Sequence, residues 1–443
     1  MTRPSLRPAA LAALMAATPL ALACHGAGVP APARTAPDSA RLAADVRTLA
    51  GDAFAGRLTG TPGNDSARAW IADRFRALAL VPLIRPQPCP ADCAPGYEQR
   101  FVATSAVARR AGLPSEMPTG NVVAMIPGRD PARRGQVVVL GAHFDHLGRA
   151  GVNALDPEAR DAIRNGADDN ASGVATILEL ARLLKARPPA RSVAIVAFTG
   201  EELGLLGSAW FVDHAPFALD SVQAMLNFDM VGRLRDDRLM VYGTATATEL
   251  AAIVDSANIA PAFRIVAIGD GTGPSDHASF YLKNLPVLHF FTDLHDDYHR
   301  ATDDAERINA AGMARVVGLA ERITRTLADR PSRLTFVRGP VTASRMGATT
   351  RRGPQPYLGS VPDMGAVETK GLRLSAIRPG SPAEAGGLKE GDVIVELGGK
   401  AVTDLYTYTD ALFAYAPGDQ VEIVVLRAGA RVTVRVTLGR RPG

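Results

Sequence analysis

Short apolar runs alternate with helical patterns through the middle of the chain. The runs predict buried strands, and they lie at Val122–Ile126, Val137–Leu140, Ser192–Phe198, Ala224–Asn227, Leu239–Tyr242 and Pro286–Phe291. Apolar residues at helical spacing fall between them, over 171–186, 246–257, 275–283 and 304–328. This alternation over roughly 200 residues is typical of an α/β fold with a mostly parallel mixed sheet flanked by helices.

A second pattern begins after residues 331–356, a segment rich in Arg, Gly, Pro, Ser and Thr that reads as a linker. Short strands separated by turns then follow, at Leu372–Ile377, Val393–Leu397, Val421–Leu426 and Val432–Leu438, with one helical piece near 405–414. This pattern predicts a separate, small, β-rich domain over residues 357–440. The α/β domain is assigned to residues 40–330.

The first 24 residues have the pattern of an export signal. Arg3 and Arg7 precede an apolar run that is too short to span a membrane comfortably. Small residues lead to Cys24, so the segment resembles a bacterial lipoprotein signal in which this cysteine is acylated. Ala21 stands where such signals usually have Leu, which keeps simple secretion as an alternative. We expect an exported protein, periplasmic or held at the outer membrane by lipid, with residues 25–39 as a tether.

Composition excludes some partners. The net charge is only +4 over 443 residues, and no Lys/Arg run with interleaved aromatic residues is present. We therefore expect no nucleic-acid partner and no membrane contact except through lipid at Cys24. Cys89 and Cys93 lie close together in a Pro-rich loop and predict a disulfide in an oxidising compartment. A zinc site there is less favoured, because no second Cys/His pair accompanies them.

Polar residues follow the predicted strands of the α/β region at the points where the strands end. They are His143, Asp145, Glu201, Glu202, Asp229, His295 and His299. Asp168 and Asp169 add two carboxylates just before the helical pattern at 171–186. Because sites in such sheets gather at the carboxyl ends of the strands, we expect these groups at one edge.

Each of these signals alone has an ordinary structural explanation. Asp168 fits a helix N-cap, His143 a loop histidine with a hydrogen-bond partner, and adjacent glutamates a solvated surface. Several buried carboxylates together are very costly without cations. Two histidines and several carboxylates suit zinc or a similar ion. Their number predicts two ions, about 3.5–4 Å apart, that share one carboxylate and together polarise a carbonyl and activate a water.

Over about residues 40–328 the chain resembles the M28 metallopeptidases, the zinc aminopeptidase family with co-catalytic metals. The motifs that carry this resemblance are Gly56-Arg57, Thr59-Gly60-Thr61-Pro62-Gly63, Asn121-Val122-Val123-Ala124, His143-Phe144-Asp145-His146, Gly166-Ala167-Asp168-Asp169-Asn170-Ala171-Ser172-Gly173, Gly200-Glu201-Glu202-Leu203-Gly204, Asn227-Phe228-Asp229-Met230, Ser275-Asp276-His277 and Asp297-Tyr298-His299. The resemblance implies a zinc-exopeptidase fold and two Zn²⁺ per chain.

The resemblance also implies a role for each site residue. Asp168 would bridge the two ions, His143 and Asp229 would complete one site, and Glu202 and His299 the other. Glu201 would be the general base, and Asp145 would orient His143. Asp169 would shape the turn after Asp168. His299 is preferred to His295 as a ligand because it matches the family's Tyr-His position.

The C-terminal segment contains four short motifs: Tyr357-Leu358-Gly359, Gly371-Leu372-Arg373-Leu374, the run Pro379–Leu388 and Gly391-Asp392-Val393-Ile394. In these motifs it resembles a bacterial PDZ domain. Such domains bind a C-terminal peptide by strand addition. The alternative is a packing module that no longer binds peptides.

Together these features predict an exported di-zinc aminopeptidase that acts on peptides with a free N-terminus and carries a PDZ module. A carboxypeptidase, a dipeptidase or a single-zinc glutaminyl cyclase on the same fold is the alternative among enzymes. An inactive adaptor that binds partners through its PDZ domain is the alternative of another class.

Overall fold

The computed structural model describes residues 1–2, 36–85, 93–105, 108–109, 113–149, 153–156, 158–338, 356–362, 371–378, 380–402, 407–408, 411–412 and 414–440. The expected signal segment with Cys24, most of the tether, Cys89 and most of the linker lie outside these residues. Cys93 is disulfide-bonded, and its pairing with Cys89 stays a prediction. Among the described residues, no helix combines the length and apolar character needed to cross a bilayer.

Nine strands form one mixed sheet in the α/β part of the chain. They are β1 (Val81–Pro82), β2 (Glu98–Ala103), β3 (Met117–Ile126), β4 (Val137–His143), β5 (Ser192–Phe198), β6 (Val222–Phe228), β7 (Arg238–Tyr242), β8 (Arg264–Ile268) and β9 (Val287–Phe291). Their order is β1-β3-β5-β4-β6-β9-β7-β8, with β2 also paired to β3. The four central strands β5, β4, β6 and β9 are parallel, as the sequence predicts, while β3 and β7 join them antiparallel.

Helices cover both faces of this sheet. They are α1 (Ser39–Leu49), α2 (Pro62–Ala77), α3 (Gly173–Ala186), α4 (Leu206–Asp213), α5 (Leu250–Ala257), α6 (His277–Leu282) and α7 (Ala310–Asp329). Successive side chains of a strand point to opposite faces. In β4, Val138 and Leu140 therefore pack under α1, α3 and α7, whereas Val137 and Val139 join the core under α4 and α6. Because both faces are covered, β4, β5 and β6 are buried throughout.

The C-terminal strands and helix form their own core. The elements are β10 (Pro356–Tyr357), β11 (Ser360–Pro362), β12 (Leu372–Ile377), α8 (Pro382–Ala385), β13 (Val393–Leu397), β14 (Lys400–Ala401), β15 (Gln420–Arg427), β16 (Ala430–Thr437) and β17 (Gly439–Arg440). Six of these strands make an antiparallel sheet with β11 at one edge. Its buried cluster, which includes Leu358, Ile394 and Ile423, shares no member with the clusters of the α/β part. The expected helical piece near 405–414 lies largely outside the described residues.

Candidate metal centre

Four of the five predicted metal ligands lie where strands of the sheet end. His143 is the last residue of β4, and Asp229 directly follows β6. Glu202 lies four residues beyond β5, and His299 lies in the loop after β9. All four side chains are buried or nearly so. The carboxyl edge of the parallel strands therefore brings these four residues together, as the sequence analysis predicts.

Asp169 lies between the two histidines. Its Oδ1 is 3.3 Å from Nε2 of His143, and its Oδ2 is 3.2 Å from Nε2 of His299. A further carboxylate faces each histidine: Asp229 Oδ1 is 3.3 Å from the same nitrogen of His143, and Glu202 Oε2 is 3.3 Å from that of His299. His143 and Asp229 form a first set of one imidazole and one carboxylate, and His299 and Glu202 form a second set. Each set faces one of the two oxygens of Asp169.

The structure does not place Asp168 at the bridging position expected from the sequence, because its side chain points away from His143 and His299. Its Oδ1 accepts hydrogen bonds from the backbone N–H of Gly232 at 2.6 Å and from Ser172 Oγ at 3.0 Å. Its Oδ2 lies 3.1 Å from Nε2 of His295. His295 thus contacts Asp168 and lies behind the loop, whereas His299 faces Asp169 and Glu202.

Asp145 acts differently from the expectation. Its carboxylate Oδ1 accepts a hydrogen bond from the backbone N–H of Glu201 at 3.1 Å, and its Oδ2 accepts one from Thr59 Oγ1 at 3.0 Å. Nδ1 of His143 is closer to the backbone carbonyl oxygen of Asp145, at 3.2 Å, than to its carboxylate, at 3.8 Å. Asp145 therefore holds Glu201 through its side chain and His143 through its backbone.

Glu201 lies beside the first set. Donor atoms of Glu201, His143 and Asp229 all lie within 4.8 Å of one another. Burial is the main cause that raises the pKa of Glu201 well above its ordinary value of 4.5, although the charge of His143 opposes it. Glu201 lies beside His143 and Asp229, whereas Glu202 faces His299. The two glutamates lie in a turn, in which the N–H of Leu205 donates to the Glu201 carbonyl oxygen at 3.0 Å.

His146 joins the site without having been predicted. Its Nδ1 lies 2.7 Å from Oε1 of Glu202 and 3.8 Å from Oδ2 of Asp169. The signal was visible in the sequence, since His146 belongs to the His-x-Asp-His segment. Period-two alternation could not place it, because β4 ends at His143 and the chain turns afterwards.

Ser275 supports the first set from behind. Its Oγ donates to Oδ2 of Asp229 at 2.7 Å and accepts from Nδ2 of Asn227 at 2.7 Å. Asp276 and His277 are fully buried next to it. The ring of His277 stacks on His289 at a centroid distance of 4.5 Å. Asp276 and His277 thus belong to the wall behind the site.

The electrostatics of the site fit a pair of cations. Burial alone would lower the pKa of His299, but Glu202 and Asp169 outweigh it and raise that pKa to about 10. The pKa of His143 is also well above its ordinary value, since Asp229 and Glu201 outweigh its burial. The carboxylates of the site thus stabilise positive charge at both imidazoles. Imidazole nitrogen with carboxylate oxygen is a donor set that zinc accepts, so the residues present fit zinc.

Two segments of the chain match the models of known protein families. Residues 121–323 match the model of peptidase family M28, and residues 357–438 match that of the PDZ domain. The first segment, which holds the site residues, is thus similar to an M28 peptidase domain, and the second is similar to a PDZ domain.

Curated relatives cover only part of this chain. A probable zinc metalloprotease of Pyricularia oryzae is 36% identical over 202 residues, which are 44% of this chain and 36% of the relative. The aminopeptidase YwaD of Bacillus subtilis is 31% identical over 154 residues, which are 32% of this chain and 34% of the relative. The matches thus span about a third of the length of these relatives.

Solved structures establish the fold. A zinc aminopeptidase from Bacillus subtilis has a TM-score of 0.53 at 17% identity and covers 66% of this chain and 96% of its own. A glutaminyl cyclase from Porphyromonas gingivalis has a TM-score of 0.53 at 19% identity and covers 66% of this chain and 99% of its own. The zinc-exopeptidase fold predicted from the sequence is confirmed.

Proposed function

We propose that this chain is an exported di-zinc aminopeptidase that removes N-terminal residues from peptides. One observation carries the two-ion part of this proposal: the two oxygens of Asp169 face His143 and His299, each of which has its own second carboxylate. Names of relatives support peptidase chemistry, since a zinc metalloprotease and an aminopeptidase are among them.

The proposed ligands are five. His143 and Asp229 would hold one ion, Glu202 and His299 would hold the other, and Asp169 would be shared between them. When bound, the two zinc ions supply Lewis-acid polarisation of the scissile carbonyl and lower the pKa of a water. This role for Asp169 replaces the one expected for Asp168.

Glu201 is the proposed general base. It accepts a proton from the attacking water and returns it to the leaving amine. Burial raises the pKa of Glu201 above its ordinary value, which is the direction in which general bases of this type are tuned. Asp145 fixes the backbone of Glu201 through the bond to its N–H, so the base and the His143 side of the centre are held by one residue.

Hydrolysis of a Leu-starting peptide, with a free or an acetylated N-terminus, tests the proposal. The protein is assayed after chelation and again after zinc is restored. Cleavage of the free form alone, only with zinc, supports an aminopeptidase. Cleavage of both forms indicates a carboxypeptidase or endopeptidase instead. Turnover of an N-terminal glutaminyl peptide without hydrolysis of either form would favour the glutaminyl cyclase alternative, and peptide binding without any turnover the adaptor.

Export and lipid attachment at Cys24 are part of the same proposal. The disulfide of Cys93 supports an oxidising compartment, where such bonds persist. Expression of the full chain and of C24S in a bacterium fed a labelled fatty acid tests the anchor. Label on the wild type alone supports acylation, whereas label on neither protein leaves simple secretion as the better account.

For the PDZ domain we propose capture of a peptide C-terminus. Among the described residues, β11 lies at the edge of its sheet and pairs only with β12, and an edge strand is where a peptide can add as a further strand. Gly359, just before β11, has φ +83°, and Leu358 beside it accepts a bond from the N–H of Ala383 at 2.8 Å. Binding of a labelled peptide with a free but not an amidated C-terminus would support this role. Equal or absent binding of the two would favour a packing module.

A further inference from the structure

Arg57 is a fully buried cation near the metal centre that the proposed mechanism does not use. It ends a short 3₁₀-helix, Asp52–Arg57, and its side chain has no exposed surface. A buried guanidinium is costly unless its donors are satisfied and its charge is compensated. The partners of Arg57 therefore indicate what its burial achieves.

Among the described residues, the side chain of Arg57 donates four hydrogen bonds, and all four go to backbone carbonyl oxygens. Nε donates to Phe144 at 2.7 Å, and Nη1 donates to Leu49 at 2.7 Å and to Asn165 at 2.6 Å. Nη2 donates to Gly166 at 2.9 Å. The planar fork of an arginine can satisfy several acceptors in fixed directions, which the ammonium of a lysine cannot.

Three of these acceptors lie in the two loops that carry the centre, and the fourth, Leu49, is the last residue of α1. Phe144 directly follows His143, and Asn165 and Gly166 lead into Asp169. One guanidinium therefore fastens the loop after β4 to the loop before α3. The relative position of His143 and Asp169 depends on how these two loops are held together.

Asp303 binds the loop before α3 from another direction. Its Oδ2 accepts hydrogen bonds from the backbone N–H of Asp168 at 2.9 Å and of Asp169 at 3.0 Å. The carbonyl groups before Asp169 are thus bound by a buried cation, and the N–H groups at Asp169 are bound by a buried carboxylate. The backbone is fixed on both sides of the shared carboxylate.

The charge of Arg57 also belongs to the centre. Burial is the largest influence on its pKa and lowers it to about 10, while Asp145, Asp169, Asp303 and Glu202 act in the opposite direction. Arg57 therefore stays charged at neutral pH. Since its direct partners are neutral carbonyl groups, its charge is compensated by the surrounding acidic cluster as a whole.

We propose that Arg57 is a positioning residue that fixes the loops of His143 and Asp169 in the arrangement that two zinc ions need, before either ion binds. This inference rests on the proposed metal centre and assigns part of its affinity to a residue that does not touch the ions. Residues of this kind typically change metal affinity by about 10- to 100-fold.

Arg191 offers a matched control. It is equally buried, and it also donates to backbone carbonyl oxygens, among them those of Leu327 at 3.2 Å and Pro331 at 3.3 Å. It lies just before β5, about 20 Å along the strand from the end that carries Glu202. R57M and R191M should both lower the stability of the protein, but only R57M should change the metal centre.

The test is zinc affinity, measured on the full chain by competition with a chromogenic chelator, together with denaturant unfolding of the chelated proteins. We expect R57M to weaken zinc binding about 10- to 100-fold, and R191M to leave it within about threefold of wild type. R57K, which keeps the charge but loses the fork, should fall between wild type and R57M and covers the case in which R57M does not fold.

Failure of the inference differs from failure of the proposed centre. If the wild type itself takes up no zinc, the proposed function is contradicted. If the wild type binds two zinc ions and R57M or R57K binds them with unchanged affinity, the centre stands and the positioning role of Arg57 is wrong. The role is also wrong if R191M weakens zinc binding as much as R57M does.

Discussion

Nδ1 of His146 lies 2.7 Å from Oε1 of Glu202, and both side chains are buried. The other oxygen of Glu202 lies 3.3 Å from Nε2 of His299. His146 therefore fixes the rotation of the carboxylate whose second oxygen is offered to the metal. A residue that no strand periodicity predicts is thus part of the geometry of the centre.

We expect H146A to lower zinc content and kcat about 10- to 100-fold, because Glu202 would lose the bond that orients it. H146N should recover part of the loss, since an asparagine Nδ2 can replace the imidazole Nδ1 as a donor. H214A, at an exposed histidine, is the control. Zinc content and steady-state kinetics measure both effects, and wild-type values for H146A would contradict the role.

Substitutions at Asp168 and Asp169 distinguish the residue that bridges the proposed zinc ions from the residue that supports the loop. D169N should lose bound zinc and more than about 100-fold in turnover, because outer-shell changes alone cost 10–100-fold. D168N should keep two zinc ions and lose mainly stability, since its partners are Gly232, Ser172 and His295. Metal analysis and thermal unfolding of both variants decide the matter. Loss of zinc in D168N with retention in D169N would reverse the assignment.

Removal of the proposed base, Glu201, should lower turnover and leave zinc binding unchanged. E201Q keeps the size of the side chain but cannot accept the proton, so we expect kcat to fall about 10²- to 10⁴-fold. Its zinc content should equal that of the wild type, because neither set of ligands needs Glu201. Near-normal turnover in the zinc-loaded variant would remove Glu201 from the mechanism.

Zinc uptake should release protons. The pKa of His299 is raised to about 10 and that of His143 lies well above 6.5, so both are protonated in chelated protein at pH 7, whereas zinc needs neutral imidazoles. We therefore expect release of about two protons per chain at pH 7. The proton that His299 releases on zinc binding should no longer be observed as the pH rises through about 10, because the imidazole is then already neutral before zinc binds. Calorimetry in buffers of different ionisation enthalpy measures this number, and no release at pH 7 would contradict the ligand set.

Much of the fold and most of the ligands follow from the sequence. β5 was predicted with its observed bounds, Ser192–Phe198, because a strand buried on both faces is a continuous apolar run. The rule that sites lie at the carboxyl ends of parallel strands placed His143, Glu202, Asp229 and His299 in one site. The edge strand β8 is absent from the predicted strands, although Ile265-Val266-Ala267-Ile268 is a short apolar run of the same kind.

The choice between Asp168 and Asp169 could not be made from the sequence. Adjacent side chains in a turn point in directions set by local dihedral angles, and periodicity does not supply these. Gly166 has φ +56°, and the helical dihedral angles of Ala167–Ser172 are interrupted at Asp169 (φ −106°, ψ 88°) and Asn170 (φ −137°, ψ 46°). These angles direct Asp169 to the two histidines and Asp168 to Gly232.

Anomalous diffraction at the zinc edge, from crystals of the zinc-loaded protein, tests whether two zinc ions share the carboxylate of Asp169. We expect two peaks about 3.5–4 Å apart, one on each side of that carboxylate. One should lie beside His143 and the other beside His299. A single peak, or two peaks that share Asp168 instead, would contradict it.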